Sequence, residues 1–299
     1  AGVTFKAGTY TLTIGTHAHG TITSGETPAK IDCGSTCSAD YVYPANVTLT
    51  ATPDVGYAFS SWTNCPSAVA NVCTITAISA DRTVSATFTA KQYTVTVTRP
   101  SAGGSVSGTG GIVCAAAGGT CVADLSSGTP VVLTASTSNG YAFARWTGCD
   151  RTSGTGGSVC ELTMSAARSP SAAFTLVSYP LTLRTGGTGA GTVTSSPVGI
   201  VCAPRCTTTA ADFTFGTVVT LTANPATGSR FAGWAGCDSS SGTSCTAEIT
   251  GARDVSATFT ANTYTLQVTP PSNGKITGFS GGVDCGSTGA SAVAGSAAC

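Results

Sequence analysis

Short runs in which apolar residues alternate with threonine or serine recur along the chain. In Val47–Thr52 every second residue is apolar and each residue between is threonine. Because successive side chains of a β-strand point to opposite faces, this alternation predicts half-buried strands. Related runs at Val131–Ser136 and Val218–Ala223 predict the same strand twice more. No stretch has the apolar period and the caps of an amphipathic helix. The pattern therefore predicts an all-β fold.

A ten-residue motif with Gly, Phe, Trp and Cys at fixed positions occurs three times, at Gly56–Cys65, Gly140–Cys149 and Gly228–Cys237. Tyrosines that begin a predicted strand stand at positions 10, 93, 179 and 264, at intervals of 83, 86 and 85 residues. We therefore predict a tandem array of small, disulfide-stapled antiparallel β domains, with about 85 residues per unit.

The repeat divides the chain into a terminal strand of a preceding unit (1–9), three units (10–90, 91–176 and 177–261) and a partial fourth unit (262–299). Each complete unit is expected to contain about five or six mostly antiparallel strands. The predicted connections between units are short, as at Ala90–Gln92. Short connections restrict hinge motion, so the array is predicted to be semi-rigid.

The repeated aromatic pair is predicted to supply most of the core of each unit, because large aromatic side chains contribute much of the burial in a small domain. The spacing of three residues between Phe and Trp breaks strict alternation. Either a β-bulge turns the tryptophan inward, or the ring faces solvent. The predicted core residues are Phe59, Trp62, Phe143, Trp146, Phe231 and Trp234.

The 14 cysteines recur as two pairs in each complete unit, which indicates an oxidising compartment. Structural zinc is the competing interpretation, but the paired short spacings and His partners of zinc sites are missing. The spacing within a pair varies while the flanking strands keep register. Local pairing is therefore predicted, and crossed pairing is the alternative. The predicted pairs are Cys33 with Cys37, Cys65 with Cys73, Cys114 with Cys121, Cys149 with Cys160, Cys202 with Cys206, Cys237 with Cys245, and Cys285 with Cys299.

The composition of the chain excludes several classes of function. Charged residues make up 9% of the chain, the formal net charge is zero, and 41% of the residues are hydrophobic. This hydrophobic content argues against disorder. No apolar run approaches the roughly 18 residues of a membrane span. The 13 Lys and Arg residues are scattered, so nucleic acid is not an expected partner.

The tyrosine-led strand, the Val47–Pro53 strand, the Gly-Tyr-x-Phe-x-x-Trp motif and the closing Val84–Phe88 segment together resemble the divergent internalin B-type repeats of bacterial surface proteins. The resemblance covers nearly the whole chain. It implies a spacer or stalk within a large secreted or cell-wall protein. Four cysteines per unit and the low charge depart from the simplest pattern of that family.

Few residues suggest catalysis. His17 and His19 form the only His-x-His pair, in a turn where an exposed, non-ligating role is expected. Asp150 and Asp238 follow a cysteine, but Pro66 stands there in unit one. No carboxylate pair recurs as glycosidase chemistry would require, and two histidines cannot serve triads in three units. We therefore expect no enzymatic activity, no cofactor and no metal.

These observations predict a non-enzymatic extracellular structural protein, a semi-rigid stalk or filament subunit on a bacterial surface. One alternative is an adhesin or carbohydrate-binding array that presents Tyr57, Tyr141 and the tryptophans to a glycan or host surface ligand, although Ser229 replaces the tyrosine in unit three. Another is an accessory region of a larger secreted enzyme.

The two ends of the chain suggest how units are joined. Val3 and Phe5 belong to a predicted last strand without its own unit, and an orphan strand can add to the open sheet of another chain. The expected partners are a second copy, joined head to tail, or the continuation of a longer array. We expect the material to be filamentous or part of a long fibre.

Overall fold

The computed structural model describes residues 7–204 and 206–264, together with two short strands, Ile276–Thr277 and Asp284–Cys285. Throughout these residues the chain is all β, with helical geometry confined to the single turns Thr109–Gly111 and Thr155–Gly157. The predicted fold class is confirmed. Repeats 1 and 2 lie in one compact unit, which ends at Leu176, and repeat 3 lies in a second, which begins at Val177.

Repeat 1 is a two-layer sandwich of nine strands. One sheet has the order β4-β1-β9-β6, and the other has the order β3-β2-β5-β8-β7. The strands are β1 (Thr9–Ile14), β2 (Gly20–Ser24), β3 (Asp32–Cys33), β4 (Ser38–Val42), β5 (Val47–Pro53), β6 (Tyr57–Thr63), β7 (Ser67–Val69), β8 (Val72–Ile75) and β9 (Arg82–Ala90).

Repeat 2 keeps this arrangement with ten strands. Its larger sheet has the order β13-β12-β11-β15-β18-β17, and its other layer consists of the pairs β10-β14 and β16-β19. The strands are β10 (Gln92–Thr96), β11 (Gly104–Gly108), β12 (Ile112–Ala115), β13 (Gly118–Thr120), β14 (Val122–Ser126), β15 (Pro130–Thr137), β16 (Tyr141–Thr147), β17 (Arg151–Ser153), β18 (Val159–Thr163) and β19 (Ser171–Leu176).

Repeat 3 has the same two sheets as repeat 1, ordered β23-β20-β28-β25 and β22-β21-β24-β27-β26. The strands are β20 (Ser178–Gly186), β21 (Gly191–Ser196), β22 (Val201–Cys202), β23 (Thr208–Thr214), β24 (Val218–Pro225), β25 (Ser229–Ala235), β26 (Ser239–Ser241), β27 (Ser244–Glu248) and β28 (Arg253–Ala261). A further pair, β29 (Ile276–Thr277) and β30 (Asp284–Cys285), is antiparallel.

Each repeat has more strands than the five or six expected. The additional strands are short and flank the cysteine loops; β7 of repeat 1, for example, is exposed at all three positions. A strand that is exposed on both faces need not alternate apolar with polar residues, so the sequence pattern does not reveal it. The longer predicted runs do form strands, in β5, β15 and β24.

The first and last strands of a repeat are parallel neighbours, whereas most other pairs are antiparallel. In repeat 1, β1 pairs with β9 over three residues, with Leu12 opposite Arg82. In repeat 3, β20 pairs with β28 over six residues, from Leu181 opposite Arg253 onwards. In repeat 2 only isolated parallel bridges remain. Pro170 stands where repeat 1 has Val84 and has no amide to donate, which interrupts the ladder.

The core between the two sheets of each repeat is mainly aliphatic. In repeat 1, Leu12, Ile22, Leu49 and Val84 are fully buried, and repeats 2 and 3 bury equivalent residues. This corrects the prediction that the motif aromatics supply most of the core. The Phe-Trp pair lies on β6, β16 or β25, and β6 and β25 are edge strands of their sheets. The rings therefore cover one margin of an aliphatic core.

Candidate functional site

The connection between repeats 1 and 2 is a single residue. Strand β9 ends at Ala90, β10 begins at Gln92, and only Lys91 lies between them. The Lys91 amide donates to the carbonyl of Gly56 in repeat 1 at 2.8 Å. The Lys91 carbonyl accepts from the amide of Ser127 in repeat 2 at 2.7 Å. Both backbone groups of the connecting residue are thus bonded, one to each repeat.

A close approach between two turns accompanies these bonds. Gly56 has a φ of +86° in the turn before β6, and a Cβ at that position would lie 2.1 Å from the Ser127 hydroxyl oxygen. A side chain at residue 56 would therefore be strained and would displace Ser127. On the repeat 2 side, the side-chain amide (Nε2) of Gln92 donates to the Ser126 hydroxyl at 2.8 Å. The turn of repeat 1 and the end of β14 in repeat 2 form one packed junction.

The same backbone bonds recur at equivalent positions. The carbonyl of Gly8 accepts from Tyr43 at 2.9 Å, and the carbonyl of Val177 accepts from Phe215 at 2.9 Å, as Lys91 accepts from Ser127. The amide of Asn262 donates to Gly228 at 2.8 Å, as Lys91 donates to Gly56. Each of the two Lys91 bonds therefore has an equivalent elsewhere in the described residues. Sequence analysis predicted the shortness of the connection but not these bonds.

The motif tryptophans turn toward the core through a β-bulge. The register between β6 and β9 shifts between Phe59 and Ser61, and the same shift occurs in β16 and β25. Of the two geometries considered for the Phe-Trp spacing, the bulge is confirmed. Trp146 is 8% exposed, and its indole nitrogen donates to the Ser158 carbonyl at 3.0 Å. Trp62 and Trp234 are partly buried.

The motif phenylalanines are partly buried and contact an aromatic residue of the last strand edge to face. The ring centroids of Phe59 and Phe88 are 6.3 Å apart, and the equivalent pairs in repeats 2 and 3 are 6.0 and 5.6 Å apart. A glycine at the start of the second strand lies against this residue: a Cβ at Gly104 would be 2.5 Å from the Phe174 ring and 2.4 Å from the Ser136 carbonyl. Gly20 and Gly191 occupy the equivalent places, a recurrence that could have been recognised from the sequence.

The tyrosines considered as glycan platforms pack against the first hairpin of their own repeat. The Tyr57 ring stacks on His19, with centroids 4.0 Å apart and planes inclined by 4°. A Cβ at Gly103 would lie 2.5 Å from the Tyr141 ring. In repeat 3 the Ser229 hydroxyl accepts from the amide of Ala190 at 3.0 Å instead. All three side chains therefore hold the hairpin to the strand that carries the motif.

Six disulfides lie within the described residues, and each closes a loop between cysteines 4 to 11 positions apart. They join the two cysteines of every pair named above from Cys33 to Cys245. The buried member of each pair is in the core, as Cys73 and Cys160 are. The side chains of Cys285 and Cys299, and the strand-donor residues Val3 and Phe5, lie outside the described residues.

Two carboxylates that have no counterpart in repeat 1 hold equivalent turns in repeats 2 and 3. Asp150 accepts from the guanidinium of Arg168 and from the amide of Thr163. Asp238 accepts from the amide of Glu248 and from Arg253, both at 2.6 Å. The Arg168 hydrogen bond is the main reason that the pKa of Asp150 is lowered.

For Asp238 the amide of Glu248 is the main cause of its lowered pKa, and Arg253 adds to it. Each arginine also donates to a carbonyl of the turn before the aspartate, at Gly148 or Gly236. Both arginines are about three-quarters covered by other atoms. These carboxylates therefore fix the turn after the motif cysteine, where repeat 1 has Pro66.

His17 and His19 lie in the turn between β1 and β2 of repeat 1. His19 is exposed, and a ring nitrogen of His17 lies 3.1 Å from the carbonyl of Gly15. Within residues 7–204 and 206–264, no three His, Cys, Asp or Glu side chains converge in a group that could hold a metal ion. None of the helical segments in the described part of the chain is long and apolar enough to cross a membrane.

Several solved structures are partly similar to this chain. The Bacillus anthracis TIE protein aligns at 8% identity and a TM-score of 0.47, over 85% of this chain and 50% of its own. The pilus adhesin SpaC from Lactobacillus rhamnosus GG aligns at 7% identity and a TM-score of 0.27, over 86% of this chain and 44% of its own. Two B repeat units of the Staphylococcus aureus collagen binding protein align at 8% identity and a TM-score of 0.17, covering 85% of this chain and 75% of that one. At such TM-scores the alignments carry no argument about this chain, which spans about half the length of the first two.

Unlike the structural alignments, the comparison with family sequences identifies a family. Among curated proteins, no sequence is significantly similar to this chain. The family model described as the divergent InlB B-repeat domain, in contrast, matches residues 10–92, 93–178 and 181–263. These three tandem matches cover most of the chain and confirm the resemblance found in the strand and tryptophan motifs. The chain belongs to the divergent InlB B-repeat family.

Proposed function

We propose that this chain is a non-enzymatic extracellular structural protein, a semi-rigid stalk or filament subunit on a bacterial surface. The observation that carries the proposal is the Lys91 junction, where one connecting residue is hydrogen-bonded to both of the repeats that it joins. A protein that only tethers two domains needs no such coupling, because a longer flexible linker suffices. A stalk needs it, since its reach depends on how far successive repeats can bend.

The two hydrogen bonds, each worth about 0.5–1.5 kcal/mol net, hold the peptide groups on either side of Lys91 to their own repeats, so bending that keeps both bonds is confined to the φ and ψ of Lys91. A large bend must also separate Gly56 from Ser127, which are in close contact. Bent conformations are therefore disfavoured, although they are not forbidden.

Extracellular placement is supported by the disulfides. Such bonds persist in oxidising environments and are rare where thiols are kept reduced. Six of them in the described residues, in a chain with only 9% charged residues, suit a durable surface material.

The stalk proposal is tested by measuring the distance between repeats 1 and 2. Spin labels are introduced as unnatural amino acids at two exposed positions, Val69 and Val113, which leaves every cysteine in place. The intact protein should give a narrow distance distribution by pulsed electron paramagnetic resonance. A Gly-Gly-Ser insertion after Lys91 should broaden it.

The matched control places the same insertion after Gly156, in a loop where a Cβ would meet open space. This variant should retain the narrow distribution. If the intact protein already gives a distribution as broad as the Lys91 insertion, the repeats are freely hinged and the stalk proposal fails.

Glycan binding through the tyrosines is the competing hypothesis. It is less well supported because the Tyr57 ring is stacked against His19 and repeat 3 has Ser229 at this position. A glycan array separates the two hypotheses: binding that is lost on Tyr141→Ala, with the fold retained, would favour the adhesin.

A further inference from the structure

The chain enters each repeat through its first strand and leaves through its last, and in repeats 1 and 3 these two strands are neighbours in one sheet. In repeat 1 they are β1 and β9, and in repeat 3 they are β20 and β28. Both pairs are parallel and occupy the centre of their four-stranded sheet. This connectivity determines how a pulling force along the chain would act on the fold.

Tension pulls the amino end of the first strand and the carboxyl end of the last strand in opposite directions. Because the strands are parallel, they can separate only by sliding along each other, which stretches all the hydrogen bonds between them together. In an antiparallel pair the same ends would be adjacent, and the bonds would open one at a time. We infer that the parallel first and last strands are a mechanical clamp by which each repeat resists tension along the chain.

This inference rests on the proposed stalk function and adds a property to it. In repeat 3 the clamp strands have buried inner faces: Leu181, Leu183 and Ala257 are fully covered and Val255 nearly so. Sliding these strands must therefore break core packing as well as backbone bonds. The two disulfides of repeat 3 close residues 202–206 and 237–245, so neither loop includes a clamp strand. The resistance is consequently noncovalent.

The three repeats differ in the length of the clamp. Six residue pairs connect β20 with β28 and three connect β1 with β9. Repeat 2 has isolated bridges, with hydrogen bonds from Thr96 to Arg168 at 2.9 Å and from Thr98 to Pro170 at 3.0 Å. The force needed to unfold a repeat should therefore be highest for repeat 3, lower for repeat 1 and lowest for repeat 2.

Single-molecule force spectroscopy on the full, oxidised chain with a handle at each end tests this order. Repeat 3 spans residues 178–261, and its two disulfides keep two short loops closed, so those loops do not extend under force. Its unfolding should release about 70 residues, or roughly 230–250 Å of extended chain. The three repeats should give unfolding-force peaks of unequal height.

One variant weakens the clamp of repeat 3. The Thr185 amide donates to the carbonyl of Thr207, the residue before β23, and successive amides of a strand point to opposite neighbours, so the Arg184 amide faces β28. Arg184→Pro removes that donor. Arg184→Ala is the matched control, because it keeps the amide and removes only the exposed 3.6 Å ion pair with Asp254. We expect the highest peak to fall for the proline variant and to remain for the alanine variant.

A second variant should strengthen repeat 2. The Pro170 carbonyl accepts from Thr98, so an amide at residue 170 would face the same strand, β10. Pro170→Val introduces that amide and the residue type found at the equivalent Val84 and Val255. The lowest peak should rise, and this result does not depend on whether Arg184→Pro folds.

The clamp is overturned if Pro170→Val leaves every peak unchanged, or if a folded Arg184→Pro protein unfolds at the same force as Arg184→Ala. Either result leaves the stalk proposal intact, because that proposal depends on the distance distribution across Lys91. Conversely, a broad distance distribution with an unchanged order of unfolding forces would reject the stalk and retain the clamp.

Discussion

Replacement of Trp146 by alanine should destabilise repeat 2 strongly. The ring is 8% exposed, its centroid is 6.1 Å from that of Phe143, and its indole nitrogen donates to the Ser158 carbonyl. Truncating a buried large aromatic to alanine costs about 3–5 kcal/mol. Because a domain is stable by only about 5–15 kcal/mol in total, the variant should leave repeat 2 marginally folded.

Phenylalanine replacements separate the hydrogen bond from the packing. Trp146→Phe loses an indole hydrogen bond that contributes about 0.5–1.5 kcal/mol and leaves much of the ring in place. The indole nitrogens of Trp62 and Trp234 are buried and meet no acceptor within the described residues. Removing such an unpaired donor relieves a penalty of about 1–3 kcal/mol. Trp146→Phe should therefore cost more than Trp62→Phe or Trp234→Phe.

Hydrogen exchange read by mass spectrometry across a urea series is the suitable assay, because it reports on each repeat in the same molecule. Peptides from β15 report on repeat 2, and peptides from β5 and β24 report on repeats 1 and 3. In Trp146→Ala only β15 should lose protection at low urea, while β5 and β24 serve as internal controls.

Two results would refute this reasoning. A change below about 0.5 kcal/mol for Trp146→Ala is in the range of ordinary surface substitutions and would mean that the ring is not part of the core. Equal costs for Trp146→Phe and Trp62→Phe would mean that the Ser158 hydrogen bond contributes nothing to stability.

Four further predictions concern the disulfides, the acid limb, a close contact and assembly. Replacing both Cys237 and Cys245 by serine should lower the stability of repeat 3 by about 2–3 kcal/mol in the chain-entropy model. Wild-type protein that is denatured without a reductant should yield essentially no free thiol on titration, and several free thiols per molecule would contradict this. Because the pKa of Asp238 is lowered, its stabilising effect is present above the ordinary carboxyl pKa and is lost as the pH falls through the lowered value. Asp238→Asn should therefore weaken the dependence of repeat 3 stability on pH between about pH 2 and 5, as measured by hydrogen exchange. An unchanged pH dependence would contradict this prediction. Gly104→Ala should destabilise repeat 2 by about 1–3 kcal/mol in urea denaturation, since its Cβ has no room, whereas a neutral result would show that the strand adapts. Deleting residues 1–8 should reduce assembly in sedimentation; undiminished fibres would exclude strand donation by that segment.

Much of the fold follows from local patterns in the sequence. The alternation in Val47–Thr52 predicts β5 because one face of that strand is buried and the other is solvated. The spacing of Phe59 and Trp62 indicates a bulge as one of two geometries, since two core-facing residues three positions apart do not fit a regular strand.

Other features depend on pairing in space, which local patterns do not encode. Nothing in the composition of β1 and β9 distinguishes a parallel pair from an antiparallel one. The role of Asp238 was missed because Arg253 and Glu248 approach it only after two strands have paired. The hydrogen bonds of Lys91 were missed because backbone groups leave no trace in residue identity.

The short span of the disulfides has a consequence for how the chain matures. The cysteines of each pair stand 4 to 11 residues apart, whereas Cys37 and Cys65, which belong to different pairs, are much farther apart in sequence. Closing a loop becomes less probable as it lengthens, and a loop of about ten residues closes in roughly 10–100 ns. Native partners therefore meet most often even in the unfolded chain. In an oxidising compartment the native disulfides can therefore form early, before any sheet has formed.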